Sequence, residues 1–495
     1  MSPCHRFGLC AGIVLTMIPI GCRTSGGETF TAVVAQPNPP AGPASNQRHS
    51  PIDKPVTTLQ SVTYQEIETD AVPSPLPSPL PADSDELFAG ISELPLETLV
   101  ATVTARNPSL QAAYAAWNAA AERYPQAVAL DDPMLQTMFA PATFSANSPT
   151  QSSYVLGVAQ RVPWHGKRAL KGQVAQWDAN ASAWDASEVR LRLEVAARIA
   201  FFDYYLVRQE LDLNRKNLEV TQDFRSTAKA RYEANQVSEQ DLSLADLELA
   251  KLEQERVDLS RGEKIAIARI NTLLHRRPDH TLPAPPGRLE ITEALRDADS
   301  LRETALQQRP ELAALAAKIQ SEQAAVALAC KEYYPDFEFM GRYDAFWTDS
   351  VQRPMVGMNM NIPLNQGRRG AAVREAQFKV TKLINEHAQQ QDMVREEVQV
   401  AHARVEASRQ AAALYTSRVL PAAEANLEAA RAAYIAGSID FSSLMTARRE
   451  FIMQQIGHQR SLVEYHRSRA DLERAVGSPL HDSGTTVESS LPLSE

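Results

Sequence analysis

Val162–Arg168 reads VPWHGKR, and a relative of it returns about two hundred residues later as Ile362–Arg369, IPLNQGRR. The echo is one landmark of a tandem repeat, and a missed duplication would misplace the whole fold. Asn107-Pro108-Ser109-Leu110 stands against Arg309-Pro310-Glu311-Leu312, and Asp132-Pro133-Met134-Leu135 against Tyr334-Pro335-Asp336-Phe337, both with an offset of 202. Pro163 and Pro363 align with a shift of 200, Gly166 and Gly367 with 201. Downstream, Arg231–Ala234 faces Ala433–Ala436 and Leu242 faces Leu444, again at 202.

The chain has 495 residues, which the duplication reduces to one tandem body. Gly is scarce, aromatics are few, and Ala, Leu, Glu, Gln and Arg abound, a composition that leans towards long helices. A net charge of −10 and the lack of a basic stripe argue against duplex nucleic acid as a partner.

His5 and Arg6 precede an apolar run, Phe7 to Ile20, that is too short to span a bilayer and reads as an export signal. The run ends Ile18-Pro19-Ile20-Gly21-Cys22, which resembles a bacterial lipobox with Cys22 as the lipid-attachment residue. Pro19 stands where Leu is usual. Cys4 and Cys10 would leave with the leader, so the mature chain keeps only Cys330 besides the acylated residue and has no disulfide framework. Cys330 reads as a buried helix residue. The expected divisions are a leader at 1–22, a Pro-rich extended spacer at 23–95, repeats at 96–287 and 288–478, and a tail at 479–495.

Leu99, Val103, Leu110, Ala113, Tyr114 and Trp117 mark an amphipathic helix to about Ala129, interrupted at Asn107-Pro108. The period then becomes two: Leu135, Thr137 and Phe139 alternate with Met134, Gln136 and Met138, and Tyr154, Leu156 and Val158 alternate with small or polar residues. Lys167 to Ala234 predicts one helix of about seventy residues, on the order of 100 Å. Ser238 is its successor's expected N-cap, with Asp241 in the first turn of a helix that runs to about His275. Prolines 278, 283, 285 and 286 join the halves. The second half predicts a helix from about Thr292 to Glu332, strands at Pro335–Tyr343 and Met355–Pro363, a helix from about Arg368 to Ile435, and a helix from about Asp440 to Val476.

Phe337, Phe339 and Tyr343 share one strand face, and Asp336, Glu338 and Arg342 the other. Val356, Met358, Met360 and Ile362 oppose Gly357, Asn359 and Asn361. This alternation suits a lipid-facing barrel with a watery lumen, and equally a sheet packed on helices. The long Ala- and Leu-rich helical seams exceed what four short strands can cover, so the helices must pack on one another. Four strands cannot close a barrel, and open edges are not tolerated in lipid, so closure requires more than one chain.

The 202-residue duplication, the Pro-x-x-Gly-Lys-Arg junction with its echo, and the hairpin AAYIAGSIDFSSLMTA at Ala432–Ala447 together resemble the TolC-type outer-membrane efflux channel family over roughly Leu96 to Gly477. The resemblance implies a mainly α fold with a small β part. Tandem-duplicated helical hairpins would form an α-barrel, and four strands per chain would join a trimeric, twelve-stranded transmembrane β-barrel. It implies a homotrimer in the bacterial outer membrane, extending into the periplasm. Its partners would be outer-membrane lipid, a periplasmic adaptor (membrane fusion) protein and an inner-membrane pump. Asn235, Gln236, Gly437 and Ser438 would be the periplasmic tips that meet the adaptor. The family's paired inward aspartates fall here on Ser443 and Thr446, which leaves Asp241 and Asp440 as nearby gate candidates. Heavy-metal ions or drugs would be the cargo. The alternatives are the outer channel of a type I protein secretion system and a periplasmic hairpin adaptor without a pore, although adaptors usually carry a lipoyl-like β domain that this chain lacks.

No catalytic function or cofactor is expected. Gly166-Lys167 is no P-loop, because the glycine five residues earlier is missing and Arg168 follows; Lys167 and Arg168 read as a helix-terminal basic pair near a membrane surface. The ten histidines lack metal-ligand spacing, and Met355, Met358 and Met360 read as strand residues rather than a soft-metal site. Acid pairs such as Glu396-Glu397 sit on solvated faces with no second group to act with them.

Overall fold

The computed structural model describes residues 87–88, 90–139, 154–234, 238–291, 295–347 and 349–480, all within a compact unit that begins at Pro79. The leader with Cys22, nearly all of the Pro-rich spacer, the loop at 140–153, the tip residues Asn235 and Gln236 and most of the tail lie outside the described residues.

The first repeat runs α1 (Leu96–Arg106), α2 (Pro108–Ala121), α3 (Arg123–Val128), β1 (Met134–Phe139), β2 (Tyr154–Val162), α4 (Lys167–Glu233) and α5 (Glu239–Leu273). The second runs α6 (Ala298–Gln308), α7 (Pro310–Lys331), β3 (Phe337–Asp344), β4 (Pro354–Met360), α8 (Gln366–Leu414), a π-helical turn (Tyr415–Val419), α9 (Leu420–Ile435) and α10 (Phe441–Val476). At 67 residues α4 is about 100 Å long. None of the described helices is long and apolar enough to cross a membrane.

The duplication extends into the core. Leu99 and Leu301, Val103 and Ala305, Leu110 and Leu312, Ile270 and Leu472, and Leu274 and Val476 are buried pairs, each 202 residues apart. All of them except Leu110 belong to two clusters: α1 with Phe201, Phe202, Tyr204 and Tyr205 of α4 and the end of α5, and α6 with Val394, Val398 and Val405 of α8 and the end of α10. The kinks repeat as well. Asn107 breaks α1 from α2, its Oδ1 accepting from the Ser109 amide at 3.0 Å, while its Nδ2 donates to the Leu273 carbonyl at 2.9 Å. Arg309 does the same between α6 and α7, donating to the Ala475 carbonyl at 3.1 Å and pairing with Glu311 at 2.7 Å and Glu397 at 2.9 Å. Leu273 and Ala475 are again 202 apart, so two different side chains satisfy the same orphan carbonyl at a helix end. The helix expected from Thr292 to Glu332 is therefore two, and Glu397 is tied rather than free. The last helices both finish in a left-handed residue, His275 (φ 53°) and Gly477 (φ 84°).

Two other expectations change. The helix from Arg368 to Ile435 is interrupted at Tyr415–Val419, since Pro421 has no N–H to give the Ser417 carbonyl and the ladder widens before it. The Tyr415 ring seats on Gly457, where any Cβ would lie 2.7 Å from its hydroxyl. Ser238 occupies the N-cap position of α5, yet its side chain makes no cap hydrogen bond. Cys330 lies on α7 and is half-buried, not fully buried.

The four strands form one antiparallel sheet in the order β1-β2-β3-β4. Leu135 faces Val158 in the first hairpin and Phe337 faces Met360 in the second, so the hairpins superimpose at 202 throughout. Pro363 thus corresponds to Arg161, and aligning it with Pro163 places the slip too early. It falls after the strands, where Gly166 stands outside α4 with φ 87° while Gly367 lies inside α8.

The basic pair at that junction does not face a membrane. Lys167 is 2% exposed, and its Nζ meets Asp336 at 2.8 Å, the Tyr334 carbonyl at 3.2 Å and Glu332 at 3.5 Å. Asp336 also accepts from the Trp164 amide at 3.0 Å and Arg161 at 3.3 Å. Arg168 Nε donates to the Val128 carbonyl at 2.7 Å, and Arg369 Nε to the Glu332 carbonyl at 2.7 Å, so in each repeat the outgoing helix caps the end of the incoming one.

Breaking the buried Lys167–Asp336 pair from one side should cost about 3–5 kcal/mol. Lys167→Met is expected to lower the thermal midpoint read by helical circular dichroism, while Lys171→Met, exposed one turn on, leaves it unchanged; equal midpoints for both would refute the clamp. His466 gives a second expectation. It stacks on Phe202 at 5.1 Å with no hydrogen-bond partner for Nε2 among the described residues, and burial, with Arg469 adding, pushes its pKa down to about 4 from 6.5. A depressed histidine contributes stability above its unfolded pKa that is lost as pH falls towards the folded value, here on the order of 3 kcal/mol between pH 6.5 and 4. Denaturant midpoints of a His466→Phe variant should therefore fall less over that window than those of the unmodified chain; parallel falls would count against it.

Candidate channel elements: sheet faces and hairpin tips

Alternation divides the sheet into two unlike faces, with Met134 and Met138 as apolar exceptions on the polar face and Gln160 as a polar exception on the apolar one. Leu135, Phe139, Leu156, Val158, Phe339, Tyr343, Met358 and Met360 lie exposed on one face, as does Val356 at 94% exposure. The other face carries Gln136, Arg161, Glu338, Arg342 and Asn359, with Asn359 donating to Glu338 at 3.1 Å and Arg342 near Asp344 at 3.7 Å. Exposed side chains of this size on one continuous face, opposite a charged face, suit hydrocarbon on one side and water on the other. β2, with nine residues, is about 30 Å long, the thickness of a bilayer's hydrocarbon core.

Aromatic rings gather at both ends of the strands. Near the helices, Trp164 stacks on Tyr334 at 5.2 Å and Phe337 at 5.8 Å. At the far end, Tyr154 stacks on Tyr343 at 6.2 Å beside exposed Phe346 and Trp347. Two such bands are what amphipathic rings form at the two faces of a membrane. Of the three methionines, Met358 and Met360 belong to the apolar face, and Met355 lies on the other, its sulfur 3.8 Å from Arg342.

At the sheet's helix-proximal end the polar face opens into a groove of about 510 Å³ lined by Asp131, Asp132, Arg161, Asp336, Glu338 and Asn361, among others. Among the described residues, no group of three or more His, Cys, Asp or Glu is placed to hold a metal ion.

The hairpin tips lie at the other ends of the long helices and pack on each other. Phe441, Leu444, Met445 and Ala245 form a small core flanked by Phe224 and Tyr434. Arg231 lies over the Tyr434 ring at 5.0 Å, Arg448 over Phe224 at 5.4 Å, and Arg449 pairs with Glu248. Burial opposes ionisation of Glu248, but hydrogen bonds from Lys251 and Arg449 outweigh it and hold its pKa below the usual carboxylate value. Sequence reasoning missed these ties because each joins residues of different repeats and none belongs to a local motif.

The second tip turns at Gly437 (φ 71°), and the Ser438 hydroxyl donates to the Ala433 carbonyl at 2.9 Å. Asp440 is the N-cap of α10, its carboxylate accepting from the Ser443 amide at 3.0 Å and the Ser442 hydroxyl at 2.8 Å, bonds that hold its pKa low. Ser443 and Thr446 are exposed three residues apart, and the Thr446 hydroxyl donates to Ser442 O at 2.9 Å. Asp241 is half-buried in the first turn of α5, away from any ion pair among the described residues. The structure brings Asp440 and Ser443 together as cap and capped residue, and among the described residues Asp241 has no ion pair or side-chain hydrogen bond with either.

Comparison with known proteins follows the same lines. Residues 301–478 match the outer membrane efflux protein family. The chain is 22% identical over 389 residues to the cobalt-zinc-cadmium resistance protein CzcC of Cupriavidus metallidurans, covering 78% of this chain and 90% of that protein. Among solved structures, the outer-membrane channel OprN matches with a TM-score of 0.67 at 21% identity, covering 79% of this chain and 91% of that one. The Campylobacter jejuni CmeC outer membrane channel matches with a TM-score of 0.65 at 14% identity, covering 86% and 96%. Residues 301–478 thus carry the sequence pattern of the outer membrane efflux protein family, and the chain shares the fold of these outer-membrane channels across both repeats.

Proposed function

We propose that three copies of the chain form the outer duct of a tripartite efflux system in the bacterial outer membrane, held there also by a lipid on Cys22. The duct is passive, and an inner-membrane pump supplies energy through a periplasmic adaptor bound at Asn235, Gln236, Gly437 and Ser438. The observation that carries this reading is the sheet: an exposed apolar face, a charged opposite face, aromatic bands at both ends and two open edges. Divalent heavy-metal cations are the proposed cargo, supported by the likeness to a protein named for cobalt, zinc and cadmium resistance. The test of cargo is a strain lacking the chain, which should become more sensitive to zinc, cobalt or cadmium and recover with it restored. Unchanged tolerance of all three would remove the assignment.

The gate lies where helices of three chains converge, at Ser443 and Thr446. Asp440 is committed to capping α10, so closing rests on packing and neutral hydrogen bonds, each contributing only about 0.5–1.5 kcal/mol net. A modest perturbation then shifts the balance between closed and open. Ser443→Asp with Thr446→Asp would set six carboxylates around a threefold constriction, where repulsion favours opening unless a divalent ion bridges them. In planar bilayers the unmodified channel should conduct with little response to divalent cations on the tip side, and the double variant should acquire block. Strong block of the unmodified channel by micromolar divalent ions would show that Asp241 or Asp440 does supply an acidic ring.

A further inference from the structure

One cation at the helix-proximal end of the sheet has no counter-charge. The Lys331 ammonium, at the end of α7, lies 5.3 Å over the Tyr334 ring and makes no ion pair among the described residues. A Cβ on Gly166 would stand 3.9 Å from its Nζ, so the ammonium sits between the end of α7 and the start of α4. The acids of the same segment are engaged elsewhere: Glu332 and Asp336 both meet Lys167, and Asp336 also meets Arg161.

From that ammonium a column of rings runs onto the apolar face. Tyr334 stacks on Trp164 at 5.2 Å, Trp164 on Phe337 at 5.8 Å, and Phe337 stands 6.4 Å from Phe339, which is exposed. Among the described residues neither the Trp164 indole N–H nor the Tyr334 hydroxyl has a hydrogen-bond partner. A cation and two donors thus stand together at the head of an apolar strip. The duplicated frame does not require them. At an offset of 202, Ala129, Asp132 and Leu135 stand where the second repeat has Lys331, Tyr334 and Phe337, and Asn365 or Gln366 stands where the first has Trp164, so the cluster occurs once per chain, at the β2–β3 seam. The far end of the sheet differs, because Arg353 there is tied to the Trp347 carbonyl at 3.1 Å and the Tyr343 hydroxyl at 3.4 Å.

We infer that this column binds an anionic glycerophospholipid from the leaflet on the helix side. The phosphate pairs with Lys331, the Trp164 and Tyr334 donors reach headgroup oxygens, and an acyl chain lies along Phe337 and Phe339. The inference rests on the outer-membrane reading above and adds the lipid class and the residues that select it. Trp and Tyr place their polar atoms at headgroup depth and their rings in the apolar layer, which is where a lipid phosphate stands. With the segment's acids already paired, the unmatched Lys331 charge favours a net negative headgroup over a zwitterionic one.

The test floats the full chain with vesicles of phosphatidylcholine, with or without phosphatidylglycerol, and then counts lipid retained on the detergent-released chain by native mass spectrometry. The unmodified chain should keep phosphatidylglycerol, one molecule per chain, in preference to phosphatidylcholine. Lys331→Gln should weaken that retention about fivefold, Lys331→Arg should preserve it, and Lys264→Gln, on α5 far from the sheet, should leave it unchanged. Equal retention by Lys331→Gln and the unmodified chain, or of the two lipids by the unmodified chain, would overturn the site. Displacement of the lipid by millimolar glycerol phosphate would assign the cation to free phosphate and overturn the lipid. A chain that floats with neither vesicle would instead overturn the outer-membrane reading itself.

Discussion

A strand edge in hydrocarbon has no water to satisfy its N–H and C=O groups, and each unpaired group costs several kcal/mol. This chain has a sheet whose outer face is apolar and whose two edges are open. Both cannot persist in a membrane unless the edges find each other, and one chain's four strands are too few to do it. The rest of the molecule serves that constraint. In the proposed ring of copies, long helices must leave the sheet at a fixed angle and at equal spacing.

The strand-to-helix junctions set that spacing. Arg168 and Arg369 each tie the start of a long helix to the end of the helix before the strands. Asn107 and Arg309 each tie a kink to the end of the repeat's last helix. These four ties preserve the duplicated frame although the side chains that make them differ. The frame's two halves diverge where their surroundings do: Lys167 is buried at a seam within the chain, and Arg368 lies on the surface.

Much of this was legible in the sequence. Offsets of 202 gave the duplication, period-two alternation gave the strands and their faces, and the absence of breakers gave α4 almost to the residue. The kink at Asn107-Pro108 is legible, and its copy at Arg309-Pro310 follows from the same offset, since Pro at the first helical position ends one helix and starts another in both. The π turn was missed because a mid-helix proline can be read as a tolerated kink, and only Gly457 across the hairpin shows the room that Tyr415 takes. Lys167 was misjudged because its partner Asp336 is 169 residues away, and sequence distance hides burial. For the tips, the sequence offers Asp440 as a gate candidate, and the structure shows that it also caps α10, a role that the Ser442-Ser443 pair behind it signals.

The account's central claim is that the open edges are sealed by other copies of the chain. Hydrogen–deuterium exchange on the protein in outer-membrane vesicles measures that directly, because an amide in a closed ladder exchanges slowly whichever chain supplies its acceptor. The account predicts that peptides covering β1 and β4 are protected as strongly as those covering β2 and β3. Fast exchange confined to β1 and β4, with β2 and β3 protected, would mean that the edges stay open and would contradict it.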